Sequence, residues 1–271
     1  MILQYKIYNP NNLDGPPLVM VHGFLCAGSF YSNNITVFEK HHPIITIDLA
    51  GFGDSAEYSA CNNIKDMALD VLETIANCGL SHYYLLGHSM GGMVALQCGV
   101  LTAEDNNQHT PQLLKLIAYA TNSSGDLGER FESFEQSKVR LQNNYQSAKA
   151  DIVSTWFIQG KSDPNFESVL QCSEHVSLQS ALNAIQAMQH FNITYLLQKI
   201  TAKILIIGAQ YDRTYTPKSI SFLRANLPNA NYKEIANTAH NAHIEDPSSF
   251  AEIVLAFLAS RPQSGIVKLN I

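Results

Sequence analysis

Residues 85–92 read LLGHSMGG, and within them Gly87-His88-Ser89-Met90-Gly91 sets a serine between two glycines. An apolar run leads into this stretch and a helix-like run, SMGGMVALQCGV (89–100), leads away from it. A serine hydroxyl is a weak nucleophile until a tight turn lifts it clear of the strand and a base takes its proton. Glycines at 87 and 91 omit the Cβ atoms that would crowd strand against helix. The helix N-terminus beyond Ser89 offers free N–H groups and a positive dipole to developing negative charge. A bare G-x-S-x-G string arises by chance, and the bland reading is a glycine-rich turn with an incidental serine. Placed between strand and helix, the string points to acyl transfer at Ser89.

Such chemistry needs a base and a group to orient it. NTAHNAHIEDP (237–247) carries two histidines, His240 and His243. Asp212 follows the apolar run KILIIGA (203–209), at the strand end where open α/β sheets place their sites. Its competing role, capping the next helix, is already filled by Thr216-Pro217. Asp126, after the preceding strand, is the second candidate acid. The chain order Ser89, Asp212, His240 is that of strand-turn-helix hydrolases. The order His22, Asp48, Ser89 is also present, but it demands an all-β fold. VHGF (21–24) follows the first strong strand, so the Phe24 N–H is expected to join the Met90 N–H as an oxyanion hole. His22 reads as a strand-end histidine holding that loop. In DLAGFGDS (48–55), Asp48 and Ser55 are expected to bond local backbone rather than react. Phe24, His88, Trp156 and His243 are the expected substrate-pocket residues. His240, His243 and Glu245 do not form H-E-x-x-H, so neither a metal site nor a cofactor is expected.

These residues need a scaffold that brings them to one edge. PLVMVHG (17–23), PIITIDL (43–49), YYLLG (83–87), LLKLIAYA (113–120) and KILIIGA read as strands, nearly all apolar, as in a parallel sheet covered on both faces. IKDMALDVLETIANCG (64–79) reads as a helix with Met67, Val71, Ile75 and Cys78 on one face and Gly79 as its stop. Helices also open at Pro217 and Pro247. YKEIA (232–236) is the expected last strand, leaving 237–246 as a loop. His240, four residues past that strand, stays near the sheet edge and reads as the base. His243, close to the helix start, reads as a lid-facing or surface neighbour. Between Asn122 and Tyr195 no core strand is visible, and helix-like pieces carry Ile152, Val153, Trp156 and Phe157, then Leu178, Leu182, Ile185 and Met188. Too long for an ordinary crossover, this segment is expected to be a helical cap or lid (122–195) on a core of 1–121 and 196–271.

Composition narrows the classes. The 271 residues are 46% hydrophobic, enough for one sizeable α/β core. A net charge of −6 gives no footprint for nucleic acid. Five cysteines without a C-x-x-C pair read as reduced thiols. No signal peptide and no membrane-length apolar run is visible, so a soluble cytoplasmic protein acting on a small molecule is expected, of undetermined oligomeric state.

The stretches VHGF, DLAGFGDS, GHSMGG, GAQYD and AHNAHIEDP, in this order, resemble the signatures of the α/β-hydrolase superfamily over about Leu18 to Ala120 and Lys203 to Ser260. The resemblance implies an eight-stranded, mostly parallel sheet, a triad of Ser89, Asp212 and His240, and a backbone oxyanion hole from Phe24 and Met90. The superfamily spaces its catalytic histidine five before a glutamate and seven before a proline, which His240, Glu245 and Pro247 fit and His243 does not. Thr238-Ala239 departs from the usual small-glycine pair before that histidine.

The expected activity is hydrolysis of a small or medium ester, thioester or lactone through an acyl-enzyme. The alternative on the same triad is a C–C bond hydrolase or a lyase similar to the menaquinone-pathway synthase, whose histidine region HNAH resembles. That synthase has a tyrosine before its serine and an arginine after its glycines, where this chain has His88 and Met93. A ligand-binding, receptor-like protein is the third possibility, since fold does not fix function.

Overall fold

The computed structural model describes residues 1–11, 15–105, 110–125 and 132–260. Seven strands form one sheet: β1 (Tyr5–Tyr8), β2 (Leu18–Val21), β3 (Ile44–Ile47), β4 (His82–His88), β5 (Gln112–Tyr119), β6 (Lys203–Ala209) and β7 (Asn231–Ile235). Their spatial order is β1-β3-β2-β4-β5-β6-β7, and all pairs but β1–β3 are parallel. The described residues thus hold seven strands rather than eight. Before β1, the N–H groups of Leu3 and Gln4 go to Thr74 Oγ1 and Ser55 Oγ instead of a strand ladder. Side chains of β2 and β3 are buried, which is why their sequences, Thr46 apart, run apolar without alternation.

Around the sheet lie α1 (Ser32–Phe38), α2 (Ile64–Asn77), α3 (Met90–Glu104), α4 (Phe134–Asn143), α5 (Tyr145–Ser154), α6 (Phe166–Gln171), α7 (Leu178–Gln189), α8 (Pro217–Asn226), α9 (Ala242–Glu245) and α10 (Pro247–Ala259). The pleat of β5 sorts the two layers. Tyr119 meets Phe250 of α10 at 4.9 Å between ring centres. Leu116, of opposite parity, lies under Gly99 of α3. Because α3 is sandwiched between the sheet and α2, every residue from Met90 to Val100 is buried and no polar face survives. The helix starts follow their capping residues: Asn63, Thr216 and Asp246 each accept a backbone N–H three residues on. Gly79, at φ +68°, ends the chain's course after α2.

One polar residue inside a core strand has a specific explanation. Lys115 is 5% exposed, and its ammonium donates to the carbonyls of Phe257, Leu258 and Ser260 at 2.7–2.9 Å. Those carbonyls lie at the C-terminus of α10, where acceptors outnumber backbone donors and the dipole favours a cation.

Between β5 and β6 the chain makes α4 to α7, with α4 packed on α5 and α7, and α5 on α6. Trp156 and Phe157 lie just past α5 rather than within a helix. The two ends of this excursion are tied together: Gly125 N–H donates to Phe191 O at 2.7 Å and Ile193 N–H to Ser123 O at 2.9 Å. Among the described residues no helix is long and apolar enough to cross a membrane, and the five cysteines carry free thiols.

Candidate functional site

The parallel register aligns Val21 with Gly87, His88 with Tyr119, Tyr119 with Ile207 and Ala209 with Ile235. The C-terminal strand ends therefore form one edge, and Ser89, Asp212 and His240 all lie just beyond it. Ser89 takes φ +55° and ψ −117°, a conformation that costs a non-glycine residue on the order of 1–3 kcal/mol. The surroundings hold it there. Ser89 N–H donates to Tyr119 O at 2.9 Å, and Ser89 O accepts from Thr121 Oγ1 at 2.7 Å as well as from Gly92 and Met93 N–H. A Cβ on Gly91 would collide with the Val21 and His22 carbonyls, so only glycine lets α3 start so close to β2. A Cβ on Gly23 would sit 3.1 Å from the Ser89 Cβ and 2.9 Å from His88 Nδ1. The loop after β2 thus passes directly against the serine. Among the described residues neither Phe24 N–H nor Met90 N–H donates to another protein group.

His22 fixes that loop. Its Nδ1 donates to Gly23 O at 2.8 Å, its Nε2 accepts from Leu49 N–H at 3.0 Å, and burial holds its pKa down, so the ring is neutral. Asp48 accepts from Gly28 and Asp54 N–H, and Ser55 from Gln4 N–H; both bond backbone as expected, but of these partners only Asp54 is local in the chain.

Asp212 Oδ1 accepts from Thr214 N–H at 2.7 Å and Tyr215 N–H at 3.0 Å. Its Oδ2 lies 2.8 Å from His240 Nδ1, and both side chains are buried. A carboxylate can only accept, so Nδ1 carries the proton and Nε2 presents a lone pair. The His240 ring is flanked by Tyr215 at 5.8 Å and Trp156 at 5.9 Å. Asp126 lies outside the described residues.

The segment 237–246 is not wholly a loop, since it contains the one-turn helix α9. Glu245 joins two separated backbone segments. Its Oε2 accepts from Ala239 N–H at 2.6 Å and its Oε1 from Ile158 N–H at 2.9 Å, and burial raises its pKa. It ties the histidine loop to the excursion between β5 and β6.

A cavity of about 60 Å³ opens above Ser89. Phe24 and Trp156 line it, together with Phe134, Ile152, Ile185, Met188, Tyr215 and the polar Glu132, Ser137, Thr155 and Thr214. His88 and His243 lie elsewhere, 1% and 0% exposed. They pack against Phe30 and Tyr119, His88 with tilted rings and His243 edge to face, next to His240. His243 sits so deep because α9 turns it inward, and burial lowers its pKa to about 3. Burial, with His240 and His243 as neighbours, likewise keeps His88 neutral. Sequence reading missed Glu132 and Tyr215. Tyr215 had a signal in its proximity to Asp212; Glu132 had none.

Among the described residues no cluster of histidine, cysteine or carboxylate side chains could hold a metal ion. Residues 18–253 match the alpha/beta hydrolase family. Among curated relatives, the chain is 23% identical to a provisionally named carbamate hydrolase, RutD, of Pseudomonas savastanoi pv. phaseolicola, covering 94% of this chain and 98% of that one. It is 27% identical to the 2-succinyl-6-hydroxy-2,4-cyclohexadiene-1-carboxylate synthase of Yersinia pestis, covering 90% and 88%. An enol-lactonase from Burkholderia xenovorans superposes with a TM-score of 0.82 at 20% identity, over 95% of this chain and 96% of that one. The strand order, the strained serine turn and the match over most of its length lead to one assignment: this chain belongs to the alpha/beta hydrolase family.

Proposed function

We propose that the protein is a serine hydrolase that cleaves a small or medium ester, thioester or lactone. The observation that carries this is the buried 2.8 Å contact between His240 Nδ1 and Asp212 Oδ2 at the edge that holds Ser89. Ser89 Oγ attacks the carbonyl carbon while His240 Nε2 takes its proton, and Asp212 stabilises the imidazolium. The oxygen that becomes negative is received by the Phe24 and Met90 N–H groups. The leaving alcohol or thiol departs with the proton from His240. Water then repeats the sequence on the acyl-enzyme, releasing the acid and free Ser89. Residues 122–195 serve as a cap, supported by the cavity wall that Phe134, Ile152, Trp156, Ile185 and Met188 contribute. The carbamate hydrolase and enol-lactonase likenesses fit attack at a carbonyl.

A fluorophosphonate should label the wild-type protein once, and Ser89→Ala should abolish both labelling and turnover of p-nitrophenyl esters. A Ser89→Ala variant that labels and hydrolyses normally overturns the reading. The second reading, C–C bond cleavage or synthase-like elimination on the same groups, is favoured by the 27% identity to the Yersinia synthase. Turnover of 1,3-diketones in preference to esters and lactones would select it.

A further inference from the structure

The wall of the cavity above Ser89 contains one carboxylate, Glu132, and no lysine or arginine among the described residues. Glu132 Oε2 is held by Arg140 Nη1 at 2.8 Å. Arg140 also contacts Asp151, which pairs with Lys161. The two carboxylates are therefore matched by two cations, and the cluster carries no net charge. Glu132 Oε1 differs: it is buried and has no hydrogen-bond partner among the described residues. A buried carboxylate oxygen without a donor is costly, because it has lost water and gained nothing. The cavity wall that Glu132 shares is largely apolar, with Phe134, Ile152, Ile185 and Met188, and its hydroxyls, among them Ser137 and Thr155, make no hydrogen bond to Oε1.

Resting on the serine-hydrolase reading of Ser89, we propose that Glu132 Oε1 is the substrate-recognition group of this cavity and that the substrate's acyl portion presents a neutral O–H or N–H donor to it. Arg140 already compensates the Glu132 charge, so the site calls for a hydrogen, not a second cation. A carboxylate on the acyl chain would meet repulsion there. A purely aliphatic chain would leave the oxygen buried and unpaired. Sites built to hydrogen-bond a hydroxyl discriminate strongly against analogues lacking it, since the polar group of the site then goes unsatisfied.

The test uses methyl esters of hexanoic acid bearing a hydroxyl at carbon 3, 4 or 5, each paired with the analogue bearing a methyl at that carbon. For at least one position, wild-type kcat/KM should favour the hydroxyl ester by about tenfold or more. Glu132→Leu should bring that ratio to within about twofold. Glu132→Gln, which fills the same space, should reduce it at least threefold and guards against a folding failure of the leucine variant. Each ratio is taken on one protein, so a general loss of activity does not affect it. Binding is read independently. Trp156 is the chain's single tryptophan and lines the cavity, so its fluorescence should report occupancy. In Ser89→Ala, where the esters persist, titration should show the same preference, abolished by adding Glu132→Leu. A wild-type protein that turns over neither series but retains the binding preference sinks the hydrolase reading alone. Ratios within twofold at all three positions, or a preference unchanged in both Glu132 variants, overturn the proposal.

Discussion

His88 donates from Nε2 to the backbone carbonyl of His240, 3.1 Å away. Tyr119 OH reaches the same oxygen at 3.0 Å. The imidazole is thus located from its own main chain as well as through Asp212. Tyr119 also accepts the His243 N–H at 3.1 Å, so Tyr119→Phe leaves the His240 carbonyl to His88 alone and strands a buried donor. The expected loss is about 1–3 kcal/mol of stability, measured by urea unfolding. A fall in kcat with little change in KM should accompany it, since the cavity wall is untouched. Unchanged kcat at reduced stability would limit Tyr119 to packing.

Asp212→Asn should fold, because the asparagine oxygen can still accept from Thr214 and Tyr215 N–H. Its amide nitrogen would then face His240 Nδ1, forcing the ring into the tautomer that cannot take a proton at Nε2. If Asp212 orients the base as proposed, kcat should drop by roughly 10⁴, as in Ser-His-Asp triads so altered. Near-normal steady-state rates with a native circular dichroism spectrum would exclude Asp212 from the reaction.

Acid stability follows from three buried histidines. His22, His88 and His243 are all held below the ordinary histidine value by burial, His243 to about 3. With the folded pKa depressed, the unfolded chain binds more protons once pH falls below about 6.5, so stability is intact above that pH and declines beneath it. The slope should approach about 1.4 kcal/mol per pH unit for each histidine, down to its folded pKa. Glu245, whose carboxyl is raised by burial, works in the opposite direction. Urea midpoints at pH 7.5 and 5.0 measure the balance, and His243→Phe should flatten the dependence. A midpoint higher at pH 5.0 would contradict the neutral buried rings.

Glu245→Gln offers one acceptor oxygen where two backbone N–H groups, of Ala239 and Ile158, now find partners. One of them must face an amide NH₂. We expect a loss of about 1–3 kcal/mol and a lower kcat, because Ala239 adjoins His240. Hydrogen exchange should quicken at both amides; unaltered protection at Ile158 would deny the link.

What was legible in the sequence was what is local. The serine turn is written within five residues, and His240 is placed by its distance from β7. The burial of His88 and His243 was not legible, because it is created by rings from Phe30, Tyr31, Tyr119 and Phe250, far apart in the chain. A histidine read alone looks like a surface or pocket residue. The start of α4 was written in the sequence as the Ser133–Gln136 capping box, a signal easily overlooked in a segment without strands. The place of Glu132 at the cavity depends on packing across the whole excursion and has no local mark.

The backbone bonds that join residues 123–125 to 191–193 close the base of the excursion, while Ile158 N–H to Glu245 and Asn241 N–H to Trp156 O fasten it to the histidine loop. β5 and β6 pair with each other directly, so their register does not depend on the length of chain between them. Doubling such a loop costs only about 0.6 kcal/mol in closure entropy. A graft cut at this junction should therefore replace the cavity wall from Phe134 to Met188 while β5 and β6 keep their register, provided that the new segment again supplies an N–H to Glu245 and a carbonyl to Asn241.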